Sequence, residues 1–105
     1  MAKKSTLYSE IQKKTLFYVR KGGKKNRRQQ AARMIAFARF CENKGAKSVG
    51  QIGKTHIELY FRSIAHLSES TRMQHYYAIK TLWHELLEKP TEIPKLKTNL
   101  ASHQI

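Results

Sequence analysis

Several residue types that build functional sites are scarce or absent in this chain. Its 105 residues include a single cysteine, Cys41, so an intrachain disulfide is excluded and Cys41 is expected to be a small buried hydrophobe. No run approaches the roughly 18 consecutive apolar residues of a membrane span, and the N-terminal lysines are not followed by the apolar segment of a signal peptide. Hydrophobic residues make up 40% of the chain, which predicts one small domain. The single cysteine and the lack of a membrane or signal segment predict that this domain is soluble and cytoplasmic.

The spacing of histidines and glycines argues against metal or phosphate-loop chemistry. His66, His75 and His84 are nine residues apart, which places neighbours on opposite faces of a helix. The segment 84–88, HELLE, lacks the second histidine of a zinc-protease helix. No glycine cluster follows a predicted strand, as a phosphate-binding loop would. We therefore expect neither a metal nor a cofactor.

Acidic residues are few, and the basic residues are concentrated near the N-terminus. Lys plus Arg number 21 against 7 for Asp plus Glu, a net charge of +14. Residues 1–30 hold 10 basic and 1 acidic residue, and residues 31–105 hold 11 and 6. This charge predicts an anionic polymer as partner. The composition divides the chain into a basic N-terminal helix or arm (1–25), a helical domain (26–94) and a flexible tail or linker (95–105).

The clearest secondary-structure signal lies between residues 68 and 89. Tyr76, Ile79, Trp83 and Leu86 recur at i, i+3, i+7 and i+10, the spacing of a core-facing helix. Ser68 or Ser70 can cap its start, and Pro90 is expected to end it after Lys89. Lys80 lies at the edge of this stripe. The polar side chains off the stripe are expected to face outward: Arg72, Gln74, His75 and Thr81.

Three earlier segments also have helical spacing. The first begins near Ser5 and ends at the glycine pair 22–23. The second is expected to be capped by Asn26 and to run to about Lys44, before Gly45, so that residues 24–28 form a joint that is either solvated or phosphate-facing. The third is predicted to start with a capping box of Thr55 and Glu58 and to reach about Leu67. Their predicted inward residues are Tyr8, Ile11, Thr15, Tyr18 and Val19; Ala31, Met34, Ile35, Phe37, Ala38, Phe40 and Cys41; and Ile57, Tyr60, Phe61 and Ile64.

The fold class predicted from these patterns is all-α, with four helices joined by short loops. Between the second and third helices, Val49 and Ile52 are expected to fix a packed loop to the core. The residues after Pro90 are expected to extend as a linker.

Residues 27–94, about two-thirds of the chain, resemble the core-binding domain of phage integrases and other tyrosine recombinases. The similar stretches are RMIAFARFC at 33–41 with Gly45 following, VGQI at 49–52, HIELY at 56–60, and LSEST at 67–71 leading to YYAIK at 76–80. The resemblance implies a SAM-like helical domain that forms the non-catalytic half of a clamp around duplex DNA. It places Lys80 where the family commonly has a DNA-contacting arginine, Thr71 on the cap threonine, and His75 where the family often has arginine.

The same resemblance implies that this chain does not cut DNA. Catalysis in the family belongs to a second domain with a His-x-x-Arg motif and a nucleophilic tyrosine, and none of the histidines here is followed by x-x-Arg. Tyr76 and Tyr77 are expected to be packing residues on the fourth helix rather than nucleophiles.

The expected partners are double-stranded DNA, together with a catalytic recombinase domain or other recombinase protomers, and no membrane. Other functions fit the charge as well: a stand-alone DNA-binding accessory or regulatory factor, an RNA-binding helical protein, or an interaction module whose charge serves solubility. The residues predicted to contact DNA are Lys24, Lys25, Arg27, Arg28, Arg33, Thr71, Arg72, His75 and Lys80.

Overall fold

The structure is a computed structural model that describes residues 7–21 and 24–95, without the side chain of Lys24. It contains four α-helices: α1 (Leu7–Arg20), α2 (Lys24–Asn43), α3 (Lys54–Ser63) and α4 (Glu69–Thr81). A short 3-10 turn spans Val49–Gln51, and α4 continues into one π-helical turn at Leu82–Leu86. The described ranges contain no strand, so the all-α, four-helix prediction is confirmed.

The first two helices form an antiparallel pair that is joined at both ends. Near the turn, the Arg27 guanidinium lies 4.5 Å from the Tyr18 ring centroid and donates to the Tyr18 carbonyl at 3.1 Å. At the far end, Arg39 lies 4.4 Å from the ring of Tyr8, whose backbone N–H donates to Glu42. These contacts fix α1 along α2 over its whole length.

The apolar face of α1 belongs to the common core. Leu7 and Ile11 are fully buried, and Thr15 is nearly so. Within the basic segment 1–25, the described helix is thus packed into the globular body rather than detached as an arm. Residues 1–6 lie outside the described part of the chain.

In the core, Tyr60 of α3 packs edge-on against two aromatic rings of α2. The Phe37 and Phe40 ring centroids are each 5.3 Å from the Tyr60 centroid. Cys41 is fully buried beside them, and burial raises its pKa to about 12, so the thiol stays protonated as an apolar group. The predicted inward stripe of the third helix is confirmed: Ile57, Tyr60, Phe61 and, directly after the end of α3, Ile64 are buried. Further buried residues include Met34 and Ala38 of α2, Ala78 and Ile79 of α4, and Leu82 and Trp83 of the π turn.

Two helix starts differ from their predictions. The second helix begins at Lys24 rather than after a cap at Asn26, so residues 24–28 form its first turn and not a joint. The third begins at Lys54 after the N-cap Gly53, whose N–H donates to Nδ1 of His56 at 3.1 Å. The predicted capping box of Thr55 and Glu58 is therefore wrong by two positions, because His56 accepts from the Gly53 N–H, as Glu58 was expected to accept from that of Thr55.

The end of α2 and the start of α4 follow their turn signals closely, whereas α3 ends early. Gly45 has φ of +99°, the left-handed conformation expected after α2, and Ile52 in the following loop is buried. Helix α3 ends at Ser63, four residues before the predicted Leu67. Ser68 caps α4 as predicted, its Oγ accepting from the N–H of Thr71 at 3.2 Å.

The fourth helix ends three residues before the predicted Lys89, in a widened turn. The N–H of Leu87 donates to the Leu82 carbonyl at 2.8 Å, Glu88 has φ of +54°, and the N–H of Lys89 donates to the Trp83 carbonyl at 3.0 Å. These bonds turn the chain back on itself before Pro90 is reached.

Residues 87–95, which we name the strap, run back across the domain. Trp83 Nε1 donates to the Thr91 carbonyl at 3.0 Å, and Ile93 is buried in the core. The predicted linker after Pro90 is thus bound to the domain as far as residue 95, while the rest of the predicted tail, 96–105, lies outside the described residues.

Two structural features are absent from the described residues. No helix in the described ranges is long and apolar enough to cross a membrane. No group of three or more His, Cys, Asp or Glu side chains within 7–21 and 24–95 could hold a metal ion.

Candidate nucleic-acid interface

The outward side of α4 and its π turn carries a continuous row of polar side chains. At about 100° per residue, six of them fall within a sector of about 120° and extend over about 20 Å, with the half-buried Met73 in the same sector. All are exposed or half-buried, and the sequence has no carboxylate between positions 70 and 84. We name this row the α4 ridge; it consists of Ser70, Gln74, Tyr77, Lys80, Thr81 and His84.

Arg33 joins the α4 ridge to α2. Its Nη1 donates to Gln30 Oε1 at 2.7 Å, and its Nη2 donates to Gln74 Oε1 at 2.6 Å. The guanidinium thereby fixes the orientation of the Gln74 amide and leaves the Nε2 donors of that amide available. Arg33, which the sequence predicted to contact DNA, is half-buried, and its guanidinium already forms these hydrogen bonds within the protein.

His75 points away from the ridge toward the core. Its Nδ1 lies 3.0 Å from the Tyr60 hydroxyl, and burial raises the Tyr60 pKa to about 12, so that hydroxyl keeps its proton. Burial, and secondly the charge of Arg33, lower the pKa of His75. A neutral imidazole with its proton on Nε2 accepts from Tyr60 at Nδ1, and one with its proton on Nδ1 donates to the Tyr60 oxygen. In either tautomer the half-buried His75 supports the α3–α4 contact.

Two other predicted contact residues have structural roles at the start of α4. Thr71 Oγ1 accepts from Ser68 Oγ at 3.0 Å, within the helix cap. Arg72 is only 5% exposed, and its Nε donates to the Leu67 carbonyl at 3.2 Å, so the prediction that it lies on the exposed face is wrong. Arg72 is buried because α3 and the strap lie next to it. It lines a groove of about 580 Å³ between them, beside Phe61 and Pro94.

The first turn of α2 supplies a separate group of cations. Lys25 and Arg28 are exposed there, whereas Arg27 is held by Tyr18, and the side chain of Lys24 lies outside the described part of the structure. This turn has no acidic residue. Cations at the positive end of a helix dipole are unfavourable for the isolated protein, and a bound anion would offset that cost.

The sequence pattern missed three members of this surface. Gln30 and Gln74 were not expected to contact Arg33, and Tyr77, predicted to pack, is 52% exposed. Tyr76 does pack, 6.0 Å from the Phe61 ring centroid. The available signal was the helical offset: Tyr77 lies about 100° around the helix from Tyr76, off the apolar stripe.

Comparison with known proteins finds no relative of this chain. No protein-family model matches the chain, and the searches of curated proteins and of solved structures each gave no match.

Proposed function

We propose that this protein binds double-stranded DNA, with the α4 ridge facing a groove and the first turn of α2 facing the phosphates. The observation that carries the proposal is the α4 ridge itself. It is a side-chain row free of carboxylates, next to Arg33, on a chain with a net charge of +14.

The chemistry of the ridge suits base edges better than phosphates alone. Glutamine can pair with an adenine edge and lysine with guanine, and a major groove about 12 Å wide admits a helix. We assign Gln74 and Lys80 to base edges and Lys25 and Arg28 to phosphates. Arg33 then positions Gln74, a role for which its 2.6 Å hydrogen bond is suited.

The remaining predicted residues support this surface from behind. Thr71 caps α4, Arg72 and His75 fix α4 against neighbouring chain segments, and Arg27 holds α1 to α2. We expect substitutions at these positions to reduce stability first and DNA affinity only as a consequence.

We further propose that the domain is the non-catalytic, core-binding half of a tyrosine-recombinase clamp. The support is the order of the similar stretches in the sequence, from 33–41 to 76–80, together with the four-helix architecture. On this proposal the protein alone neither relaxes supercoiled plasmid nor forms a covalent adduct with nicked duplex. A tyrosine-linked adduct on a denaturing gel would overturn this part.

The direct test is fluorescence anisotropy with labelled duplexes of several sequences, using Lys80→Ala, Lys25→Ala and the control Lys54→Ala. Lys54 is exposed on α3, outside both the ridge and α2. We expect Lys80→Ala to cost about 1–3 kcal/mol on the preferred sequence and to relax the preference at one position. Lys25→Ala should weaken all sequences equally, and the control should bind like the parent.

Two outcomes would count against the proposal. If Lys80→Ala and Gln74→Ala bind every duplex like the parent, the ridge does not face DNA. If a single-stranded RNA or an RNA hairpin binds more tightly than every duplex at the same salt, the protein belongs with RNA-binding helical proteins instead.

A further inference from the structure

The outer face of α1 carries two large apolar side chains that the fold leaves uncovered. Leu16 is 54% exposed and Phe17 is 65% exposed, whereas Leu7 and Ile11 on the same helix are fully buried. They are adjacent in sequence and lie on the side of α1 turned away from Leu7 and Ile11. The two side chains point about 100° apart around the helix, and we name this exposed pair the apolar patch.

Cations surround this patch. Lys13, Lys14, Arg20 and Lys21 are exposed and stand three or four residues from Leu16 or Phe17, so they are neighbours on the helix surface. The carboxylate nearest in the helix, Glu10, is half-buried at one end. A second copy of this chain would bring the same cations face to face, which opposes self-association.

Two concave grooves lie beside Phe17. Both are lined by Phe17 and Lys14. One, of about 320 Å³, is also lined by Tyr18, Arg27 and Leu86. The other, of about 460 Å³, is also lined by Lys13, Val49 and Leu87. Each groove thus combines apolar side chains with lysine or arginine. Each also holds one carboxylate, Glu85 in the first and Glu10 in the second, so the cations outnumber the carboxylates in both.

We propose that this face of α1 is a docking surface for an acidic amphipathic helix of another protein. Apolar side chains of such a helix would fill the grooves beside Phe17, and its carboxylates would pair with Lys13, Lys14, Arg20 and Lys21. A membrane surface would not fill two separate grooves, and duplex DNA carries no apolar side chain to enter them. The surface shares no residue with the α4 ridge and only Arg27 with the first turn of α2, so peptide binding and DNA binding can be measured separately.

The test uses the full chain and a labelled helical peptide in which leucines recur every three or four residues and the other positions are glutamate or alanine. The expected result is saturable binding that weakens about tenfold or more in the double variant Leu16→Ala, Phe17→Ala and in Lys14→Glu. The matched controls are Tyr77→Ala, another exposed aromatic, and Lys54→Glu, another exposed lysine; both should bind the peptide like the parent.

Four results would overturn the proposal: no binding of this peptide, equal binding of a peptide with serine in place of leucine, equal binding by the double variant, or loss of binding in the controls. Phosphatidylserine vesicles and duplex DNA are run in parallel with the same variants. If the double variant loses vesicle binding but not peptide binding, the patch is a lipid contact. Circular dichroism of each variant shows whether the helical content is kept.

Discussion

Trp83 is the side chain through which α4 holds the strap. It is 3% exposed, it donates from Nε1 to the Thr91 carbonyl, and Lys89 lies over its ring. We expect Trp83→Ala to lower the free energy of unfolding by about 3–5 kcal/mol, because it leaves a cavity and frees the strap. Urea denaturation followed by far-ultraviolet circular dichroism measures this. Tyr77→Ala, at an exposed aromatic, is the control; equal effects of the two would contradict the burial of Trp83.

His75 makes part of the folding free energy depend on pH. Its pKa in the folded protein lies below the ordinary 6.5, because burial first and Arg33 second disfavour the imidazolium. The unfolded chain therefore takes up this proton at a higher pH than the folded chain. The contribution is fully present above about pH 6.5 and is lost as the pH falls toward the folded pKa.

An NMR titration of the His75 ring should accordingly give a midpoint below 6.5. Arg33→Gln should raise that midpoint, since it removes a nearby positive charge, but should leave it below 6.5, since burial is the larger cause. A midpoint at or above 6.5 in the parent would show that His75 is solvated and not held against Tyr60.

The start of α4 depends on one cap, although two serines could have supplied it. Ser68 Oγ accepts from the Thr71 N–H, while Ser70 lies inside the helix on the ridge. Ser68→Ala is expected to cost about 1 kcal/mol of unfolding free energy, and Ser70→Ala to be neutral or slightly stabilising. Chemical denaturation of the two variants measures the difference. A larger loss for Ser70→Ala would place the cap one half-turn later.

How far an element could be predicted depends on how local its signal is. The inward stripe of α3 and the buried Ile79 and Trp83 of α4 followed from helical spacing alone, because one apolar face is needed to form a core. Helix starts were less certain, because Asn26 and Thr55 are acceptable caps in isolation and tertiary packing decided between nearby registers.

Arg72 and Gln74 show what periodicity cannot provide at the candidate site. Both are polar and off the apolar stripe, so the pattern treats them alike. In the fold, Arg72 is covered by α3 and the strap, whereas Gln74 stays exposed beside Arg33. The difference arises from chain segments that are distant in sequence. Arginine commonly packs its aliphatic part against apolar groups while its guanidinium forms hydrogen bonds, as Arg72 does with the Leu67 carbonyl.

At the scale of the whole molecule, the excess of cations should dominate the affinity for DNA. If about six phosphates are neutralised, log K falls with log salt at a slope near −5, a loss of about a thousandfold between about 50 and 200 mM. Anisotropy titrations at several salt concentrations give this slope. The variant Lys25→Ala, Arg28→Ala should flatten it by about two, while Lys54→Ala should not change it. A slope near zero in the parent would remove the phosphate contacts from the proposal.

The strap also determines how the domain responds to mechanical load. Pro94 and Lys95 line the same groove as Arg72, near the start of α4, whereas Thr91 is bound to Trp83 near its end. Tension applied beyond Lys95 would therefore pull first on Pro94 and the buried Ile93, then on the Trp83–Thr91 hydrogen bond, and only afterwards on the π turn of α4. The helix that carries the proposed contact surface is thus shielded from such tension until the strap has been peeled away.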